Sequence, residues 1–228
     1  MKIVLFGATG MIGQAVLREC LLDPEVTAVL SVTRRATRKI DAKLREIVHR
    51  DFTDFSSIAN ELAGYDACLF CLGVSSAGMS ETDYTRVTYD VAVAAGKMLL
   101  SQNPRLTFVF VSGMGTDSTE TGKTMWARVK GRTENTLLSM PFKASFAVRP
   151  AVVQPLHGER SRATLSRVGY VVMAPFLSLL RAVAPKYVTT SERIGRAMLQ
   201  LAKHGGPKRI LESSDIDALG REAALEPS

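Results

Sequence analysis

The sequence predicts an α/β domain built on a doubly wound, mostly parallel sheet. Apolar runs alternate with helical patterns along most of the chain, several runs are apolar at every position, and a glycine-rich turn follows the first run. Strands that helices cover on both faces read as such continuous runs. With 228 residues, 46% hydrophobic and 22% charged, the chain is long enough for one such domain and short for two.

The strands are predicted from the apolar runs. The helices are predicted from the segments between them, in which apolar residues recur on one helix face. The first helix carries Ile12, Ala15, Val16 and Cys20 on one face. A later helix ends at Asn103, because proline disfavours helical conformation in the residue before it. The predicted strands are 2–6, 26–33, 45–49, 66–72, 106–112, 144–149 and 209–211.

The last long helix and the domain limits follow from the same pattern. Thr189 and Glu192 have the spacing of a capping box before an apolar stripe. We predict one sheet domain over residues 1–212, with a substrate-side insertion at 154–185 that lies over the carboxyl ends of the strands. Residues 213–228 are predicted to form a short helix from about Ser214 and a polar tail.

Charge and cysteine content limit the function classes. The net charge of +7 and pI near 9.5 fit either a nucleic acid or an acidic cofactor. Because the basic residues are spread along the chain, we favour the cofactor and expect no nucleic-acid partner and no metal. The low, odd cysteine count predicts a reducing, cytoplasmic location. No apolar run reaches the roughly 20 residues of a membrane span.

Cys68 and Cys71 have the spacing of a redox pair, but they belong to an apolar strand. Alternation along a strand sends side chains three residues apart to opposite faces. We therefore favour two core cysteines over a redox motif.

The glycine-rich turn predicts a phosphate site. It directly follows the first strand and opens the first helix, as a dinucleotide-binding turn does. One glycine allows the reversal, one lets the backbone approach a pyrophosphate, and one lets helix and strand pack closely. The alternative is a tight turn that binds no phosphate. The turn reads Gly7-Ala8-Thr9-Gly10-Met11-Ile12-Gly13.

This glycine spacing resembles that of the short-chain dehydrogenase/reductase superfamily, in its extended and atypical branches. The resemblance covers about residues 1–212 and is strongest to Tat-interacting-protein-like oxidoreductases, NmrA-like proteins and epimerase-like proteins. It implies a single Rossmann domain that binds a nicotinamide dinucleotide. Full epimerases have a larger C-terminal substrate domain, so we do not expect nucleotide-sugar epimerisation.

The end of the second strand predicts the cofactor to be NADP(H). An NAD site places a carboxylate on the ribose hydroxyls about 20 residues past the turn. This chain has Arg34 and Arg35 there, with Arg38 and Lys39 just beyond. Guanidinium groups bind a phosphate bidentately and stack on adenine. A solvated basic loop is the alternative.

Three further segments match the superfamily and are implied cofactor contacts. Asp51 and Phe52 follow the third strand, where a similar pair meets the adenine amine; Asp51 equally suits a helix cap. Arg149-Pro150 ends the sixth strand, and the backbone up to Val152 is expected to border the nicotinamide amide. The remaining segment is Cys71-Leu72-Gly73, at the end of the fourth strand.

The resemblance also implies catalytic positions. Related reductases use a serine or threonine after the fifth strand and a Tyr-x-x-x-Lys pair on the next helix, where the lysine lowers the tyrosine pKa. Ser112 and Lys130 match, but Trp126 stands in the tyrosine place. An indole N–H only donates hydrogen bonds and does not shuttle protons. Tyr84 and Tyr89 are candidate substitutes, although packing roles suit both better.

Two functions remain open. One is an NADP(H)-dependent oxidoreductase of a small carbonyl compound, and the other is a catalytically weak NADP(H) sensor that acts through a protein partner. A homodimer is compatible with both. The basic run 157–167 suits an acidic substrate or a solvated loop. The apolar segment 168–180 suits a core-covering helix better than an anionic membrane surface or a subunit interface.

Overall fold

The computed structural model describes residues 1–37, 39–159 and 188–223. Seven parallel strands form one sheet in the order β3-β2-β1-β4-β5-β6-β9, and β7 and β8 form a small parallel pair. The predicted fold class is confirmed. The strands are β1 Lys2–Phe6, β2 Ala28–Thr33, β3 Leu44–Val48, β4 Ala67–Phe70, β5 Thr107–Val111, β6 Ala144–Arg149, β7 Val152–Gln154, β8 Val188–Thr190 and β9 Ile210–Glu212.

Helices cover both faces of the sheet. The helices are α1 Met11–Leu22, α2 Glu81–Thr85, α3 Val91–Gln102, α4 Met125–Ser139, α5 Ser191–His204 and α6 Ser213–Glu222, with a 3-10 helix at Ser56–Leu62 and a π-helical turn at Arg86–Asp90. α1, α5 and α6 pack on one face, which we call face A. The 3-10 helix, α3 and α4 pack on the other, face B.

Alternation along the central strands explains why they read as continuous apolar runs. In β1, Ile3 and Leu5 belong to the core on face A, whereas Val4 and Phe6 belong to the core on face B. β4 and β5 alternate in the same way. Apart from Lys2 at the start of β1, every residue of these three strands is buried, so neither face of the strands is polar.

The cysteines follow the same alternation. Cys68 lies in the core of face B, and Cys71 packs against the core of face A, so the expected opposite orientation is confirmed. Cys20, Cys68 and Cys71 are free thiols. Burial raises the pKa of all three, which keeps the thiolate, the reactive form, rare.

Two local predictions are wrong by small amounts. The cap of α5 is Thr190, whose hydroxyl accepts a hydrogen bond from the Arg193 N–H, and not Thr189. Thr189 lies in β8, because that short strand pairs with β7 and displaces the helix start by one residue. α6 begins at Ser213, beside the predicted start at Ser214.

Several predictions fall outside the described residues. These are Arg38, the basic residues Arg160, Arg162 and Arg167, and the apolar segment 168–180. The domain limits and the insertion 154–185 therefore stay predictions. Within the described ranges, no helix combines the length and apolarity that crossing a membrane requires.

Candidate dinucleotide site

The glycine-rich turn joins β1 to α1 and is shaped by close packing. Gly7 has a φ of +85°, and a Cβ on it would lie 2.6 Å from the Cys71 carbonyl carbon. A Cβ on Gly13 would lie 2.0 Å from the Gly7 carbonyl oxygen. Both positions therefore exclude any larger residue. The turn and the end of β4, including Cys71 and Leu72, are one packed unit.

Gly10 differs from its two neighbours. A Cβ on Gly10 would meet only the Gly7 oxygen, at an ordinary 3.5 Å, and its φ of −82° suits any residue. Protein packing therefore does not require glycine here. A ligand that approaches the backbone closely would require it.

The start of α1 is suited to an anion. Gly10 is the N-cap and provides no capping side chain, and the first turn contains no acidic residue. The leading N–H groups of a helix have no acceptor within it, and the helix dipole adds positive charge there. Thr9, Gly10, Met11 and Ile12 are partly exposed, whereas Gly7 and Gly13 are buried. The turn thus fits the pyrophosphate of a dinucleotide.

The loop after β2 places Arg34 and Arg35 at the surface next to this turn. The Thr33 hydroxyl donates to the Arg35 carbonyl at 2.8 Å, and the Glu46 carboxylate accepts from the Thr37 N–H at 3.0 Å. These bonds hold the loop. Both arginine side chains are exposed, and neither has a hydrogen-bond or ion-pair partner among the described residues.

A cavity of about 420 Å³ separates this loop from α1. Glu159, at its far wall, turns back on its own loop and accepts hydrogen bonds from the Leu156 and His157 N–H groups at 3.0 and 2.8 Å. Thr37 was missed from the sequence, because an isolated threonine after a strand gives no signal. The lining residues are Ala8, Thr9, Gln14, Leu17, Arg18, Ala36, Thr37, Lys39, His157 and Glu159.

The residues after β3 and β4 take different positions. Asp51 is exposed, and its carboxylate accepts two hydrogen bonds from Thr53, which lower its pKa. Phe52 is buried and packs edge-to-face on Phe6, with ring centroids 6.2 Å apart. Gly73 is exposed, and a Cβ on it would meet no atom within 4 Å. Asp51 and Gly73 are thus open to a ligand, whereas the Phe52 ring is a core group.

Ser112 follows β5 and is buried with a second hydroxyl that sequence reasoning missed. The Thr116 hydroxyl donates to the Gly113 carbonyl at 2.8 Å. Its only hydrogen is therefore engaged, so the 3.0 Å contact between the two hydroxyls has Ser112 as donor. Neighbouring backbone bonds fix the segment: Ser112 N–H donates to Val148, and Met114 N–H donates to Pro150.

Lys130 and Trp126 lie one turn apart on α4. The Lys130 ammonium nitrogen lies 5.6 Å from the centroid of the Phe110 ring. Phe110 and Ser112 point to the same side of β5, so Lys130 and Ser112 belong to the same side of the sheet. Burial lowers the pKa of Lys130 to about 8, although the Glu134 carboxylate opposes this. The Trp126 ring lies over Gly115, where a Cβ would be 3.5 Å from it.

An ion pair anchors the middle of α4. Arg149 at the end of β6 binds Glu134 with two hydrogen bonds, of 2.9 and 2.5 Å, and Glu134 is fully buried. Arg149 also contacts Ser118 and Glu212. The Asp117 carbonyl packs against α4 where a Cβ on Gly131 would be 1.7 Å away. The arginine of the Arg-Pro pair is thus structural, and it fixes the loop that follows Ser112.

Tyr84 and Tyr89, the candidate substitutes for the missing catalytic tyrosine, have packing contacts of their own. Tyr84 is 2% exposed, and burial raises its pKa. Tyr89 lies under the Arg132 guanidinium at 4.4 Å and accepts a hydrogen bond from Thr136. At 100° per residue, Arg132 lies about 120° from Trp126 and about 160° from Lys130 around α4, so Tyr89 packs on a different face of the helix. Both tyrosines are packed, as the sequence analysis predicted from the usual burial of tyrosine.

The candidate site residues follow the carboxyl ends of the parallel strands, except for Trp126 and Lys130, which lie on α4. The strand order reverses between β1 and β4, where such sheets bind ligands. The sequence profile of a family described as NAD(P)H-binding matches residues 7–137, more than half of the chain. The chain belongs to the NAD(P)H-binding family. The prediction of a nicotinamide-dinucleotide-binding Rossmann family is confirmed.

Relatives of this NAD(P)H-binding protein include fungal proteins. It is 25% identical to "Protein fmp-52, mitochondrial" of Neurospora crassa, over 96% of this chain and 94% of that one. It is 26% identical to "Protein FMP52, mitochondrial" of Meyerozyma guilliermondii, over 70% of this chain and 67% of that one. The cytoplasmic prediction is therefore wrong. Cysteine content reports a reducing environment and does not distinguish one such compartment from another.

Solved structures share the fold. A short-chain dehydrogenase family protein from Francisella tularensis superposes with a TM-score of 0.66 at 16% identity, covering 92% of this chain and 95% of that one. The enzyme WbmF of Bordetella bronchiseptica, solved in complex with NAD+, gives 0.66 at 14% identity, covering 100% and 79%. These similarities show the shared fold, and the NAD(P)H-binding profile supports a nicotinamide dinucleotide as the cofactor.

Proposed function

We propose that this protein is an NADP(H)-dependent oxidoreductase whose dinucleotide lies across the glycine turn. The preference for NADP(H) rests chiefly on Arg34 and Arg35, whose exposed guanidinium groups have no partner among the described residues. A carboxylate at this place would repel a 2′-phosphate, whereas two guanidinium groups attract it. Thr9, Thr37 and Lys39 in the adjoining cavity add hydrogen-bond donors and a positive charge.

The remaining contacts of the proposed site follow from their positions. The leading N–H groups of α1 would hold the pyrophosphate. Asp51 would accept from the adenine amine, and the open backbone at Gly73 would run along the dinucleotide. Lys130 would bind ribose hydroxyls, and the Pro150–Val152 backbone would border the nicotinamide amide. When bound, the reduced nicotinamide supplies a hydride.

Charge reversal at the loop after β2 tests the cofactor preference. Charge-assisted hydrogen bonds contribute about 1.5–3 kcal/mol each, so Arg34→Glu with Arg35→Glu should weaken NADPH binding by at least about tenfold. NADH lacks the 2′-phosphate and should lose much less. Isothermal titration calorimetry with both dinucleotides measures this difference, and Lys2→Glu, an exposed charge at the opposite edge of the sheet, is the control. Equal losses for NADPH and NADH would refute the assignment.

Binding and turnover measurements also test the alternative function, an NADP(H) sensor. A protein that binds NADPH tightly, oxidises it with no acceptor and binds a protein partner more tightly when loaded would be a sensor. Acceptor-dependent oxidation of NADPH, lost in Lys130→Ala, would establish the oxidoreductase.

A further inference from the structure

The ammonium group of Lys130 has no fixed partner among the described residues. The side chain is half-buried, and its nitrogen lies 5.6 Å from the centroid of the Phe110 ring. Glu134, one turn further along α4, acts on it by charge alone, because both Glu134 oxygens accept hydrogen bonds from Arg149. The three N–H donors of the ammonium are therefore available to a ligand.

The other titratable groups around this part of α4 are engaged elsewhere. The Asp117 carboxylate, in the loop that packs on α4, accepts hydrogen bonds within its own loop. Tyr84, on α2, is buried, and Tyr89 lies under the Arg132 guanidinium on a different face of α4. Burial therefore outweighs the attraction of opposite charge and lowers the pKa of Lys130 to about 8.

Lys130 shares one side of the site with the loop that follows β5. Lys130 and Trp126 are four residues apart on α4, a spacing that places side chains next to each other on a helix. The Trp126 ring lies over Gly115, in the loop that begins at Ser112. In that loop the Ser112 hydroxyl directs its proton to Thr116. A ligand between this loop and Trp126 would thus lie within reach of the long, flexible lysine side chain.

The chemistry of this ammonium suits proton donation. A general acid works best when its pKa lies near the working pH. An ammonium with a pKa of about 8 is a stronger acid than a phenol with its ordinary pKa of about 10, the group that related reductases use. It also has three donors, so two can hold ribose hydroxyls while the third faces a substrate oxygen.

We propose that Lys130 is the catalytic acid of this site and protonates the carbonyl oxygen of the substrate, in place of the absent tyrosine. This proposal rests on the proposed function. The carbonyl carbon gains a hydride as the C–H bond of the reduced nicotinamide breaks, and the electron pair of the C=O double bond moves to oxygen. That oxygen takes the proton from an N–H bond of Lys130. The products are an alcohol, NADP+ and a neutral lysine amine, which water reprotonates.

The pH dependence of both reaction directions tests the role. The probes are cyclohexanone, benzaldehyde and diacetyl, with cyclohexanol and benzyl alcohol for the reverse reaction, at saturating dinucleotide. For the carbonyl compounds, kcat/KM should be level below about pH 8 and fall about tenfold per pH unit above it, because only the protonated lysine donates. For the alcohols, it should rise up to about the same pH and then be level. A decline in both directions above this pH would mean that the lysine only binds ribose, and would overturn the proposal.

Arginine at this position separates charge from acidity. Lys130→Arg keeps a positive charge and ribose hydrogen bonds, but a guanidinium does not lose its proton in proteins. Because general acid catalysis contributes about 10²–10⁴-fold, kcat/KM for the carbonyl compounds should fall by about that factor. Calorimetric affinity for NADPH should change by less than about tenfold. Lys97→Arg, at an exposed lysine on the neighbouring α3, is the matched control and should change neither quantity. Wild-type turnover and pH dependence in Lys130→Arg would contradict the proposal.

A second substitution shows whether a proton donor is what Lys130→Arg lacks. Adding Trp126→Tyr places a phenol one turn from the guanidinium, whose positive charge lowers the phenol pKa. Turnover should recover by at least about tenfold, with its fall at high pH moved to the pKa of the new tyrosine. A double variant that is no faster than Lys130→Arg, with its fold intact by circular dichroism, would contradict the proposal.

Failure of this proposal differs from failure of the proposed function. Carbonyl-dependent oxidation of NADPH whose rate and pH dependence are the same without Lys130 overturns the acid assignment alone. Calorimetric binding of NADPH with no oxidation by any of the three carbonyl compounds counts against the oxidoreductase, and the acid assignment fails with it.

Discussion

The glycine turn and the first turns of α4 both belong to the proposed dinucleotide site, but different forces hold them. Gly7 and Gly13 are required by backbone atoms 2.6 and 2.0 Å from where a Cβ would stand. Lys130 differs: its side chain is partly buried, its ammonium nitrogen lies 5.6 Å from the Phe110 ring centroid, and burial lowers its pKa. Packing alone explains the two glycines. Packing does not explain a partly buried ammonium that has no ion-pair partner among the described residues, because its desolvation disfavours folding.

This difference shows which residues report function. Packing requires these glycines whether or not the protein is an enzyme, so the turn by itself does not demonstrate catalysis. Gly10 and Lys130 are the informative residues, because the fold does not require Gly10 and is destabilised by Lys130. Stability and binding measurements on these positions sharpen the comparison.

The largest expected effect is at Gly13. Gly13→Ala places a methyl group 2.0 Å from the Gly7 oxygen, so the free energy of unfolding should fall by more than about 3 kcal/mol. Gly10→Ala meets no close atom and should change stability by less than about 1 kcal/mol. It should nevertheless abolish dinucleotide binding. Urea unfolding and calorimetry measure the two quantities, and a Gly10→Ala variant that binds NADPH normally would break the distinction.

Next in size are the two charged residues on α4. Glu134→Gln removes the charge that pairs with buried Arg149 and should destabilise the protein by about 3–5 kcal/mol. Lys130→Met removes an unpaired ammonium and keeps a similar volume, so at neutral pH it should stabilise the protein by about 1–3 kcal/mol. Urea unfolding of both variants beside the wild type checks this opposite sign. A destabilised Lys130→Met would show that the lysine is structural.

The smallest expected effect is the pH dependence of this gain. The folded pKa of Lys130 is about 8, below its ordinary 10.5, so between these values the unfolded chain binds more protons than the folded one. Wild-type stability should therefore rise with pH across this window, and the advantage of Lys130→Met should disappear by its upper end. Unfolding free energies at both ends test this. An advantage that is independent of pH would have a cause other than charge.

Much of the fold could be predicted because it rests on local patterns. The alternation that buries Ile3 to Phe6 in β1 produces the apolar run, and the glycines mark the turn that follows it. Cys68 and Cys71 were assigned to opposite faces from spacing alone. Thr190, by contrast, caps α5 because β7 pairs with β8, and no local signal near Thr189 reports that pairing.

The candidate site was less predictable where its contacts join distant segments. The ion pair of Arg149 with Glu134 links β6 to α4, and the loop that brings Thr116 to Ser112 packs its Asp117 carbonyl on Gly131. Phe52, implied as an adenine contact, is a core residue because its ring packs on Phe6.

The central claim is that the glycine turn and Trp126 belong to one dinucleotide site. Energy transfer from the single tryptophan to bound NADPH tests it most directly. Titration of the wild type should quench tryptophan emission and produce sensitised nicotinamide emission that saturates with binding, and Gly10→Ala should show neither. NADPH binding detected by calorimetry without any change in tryptophan emission, or identical transfer in Gly10→Ala, would contradict the claim.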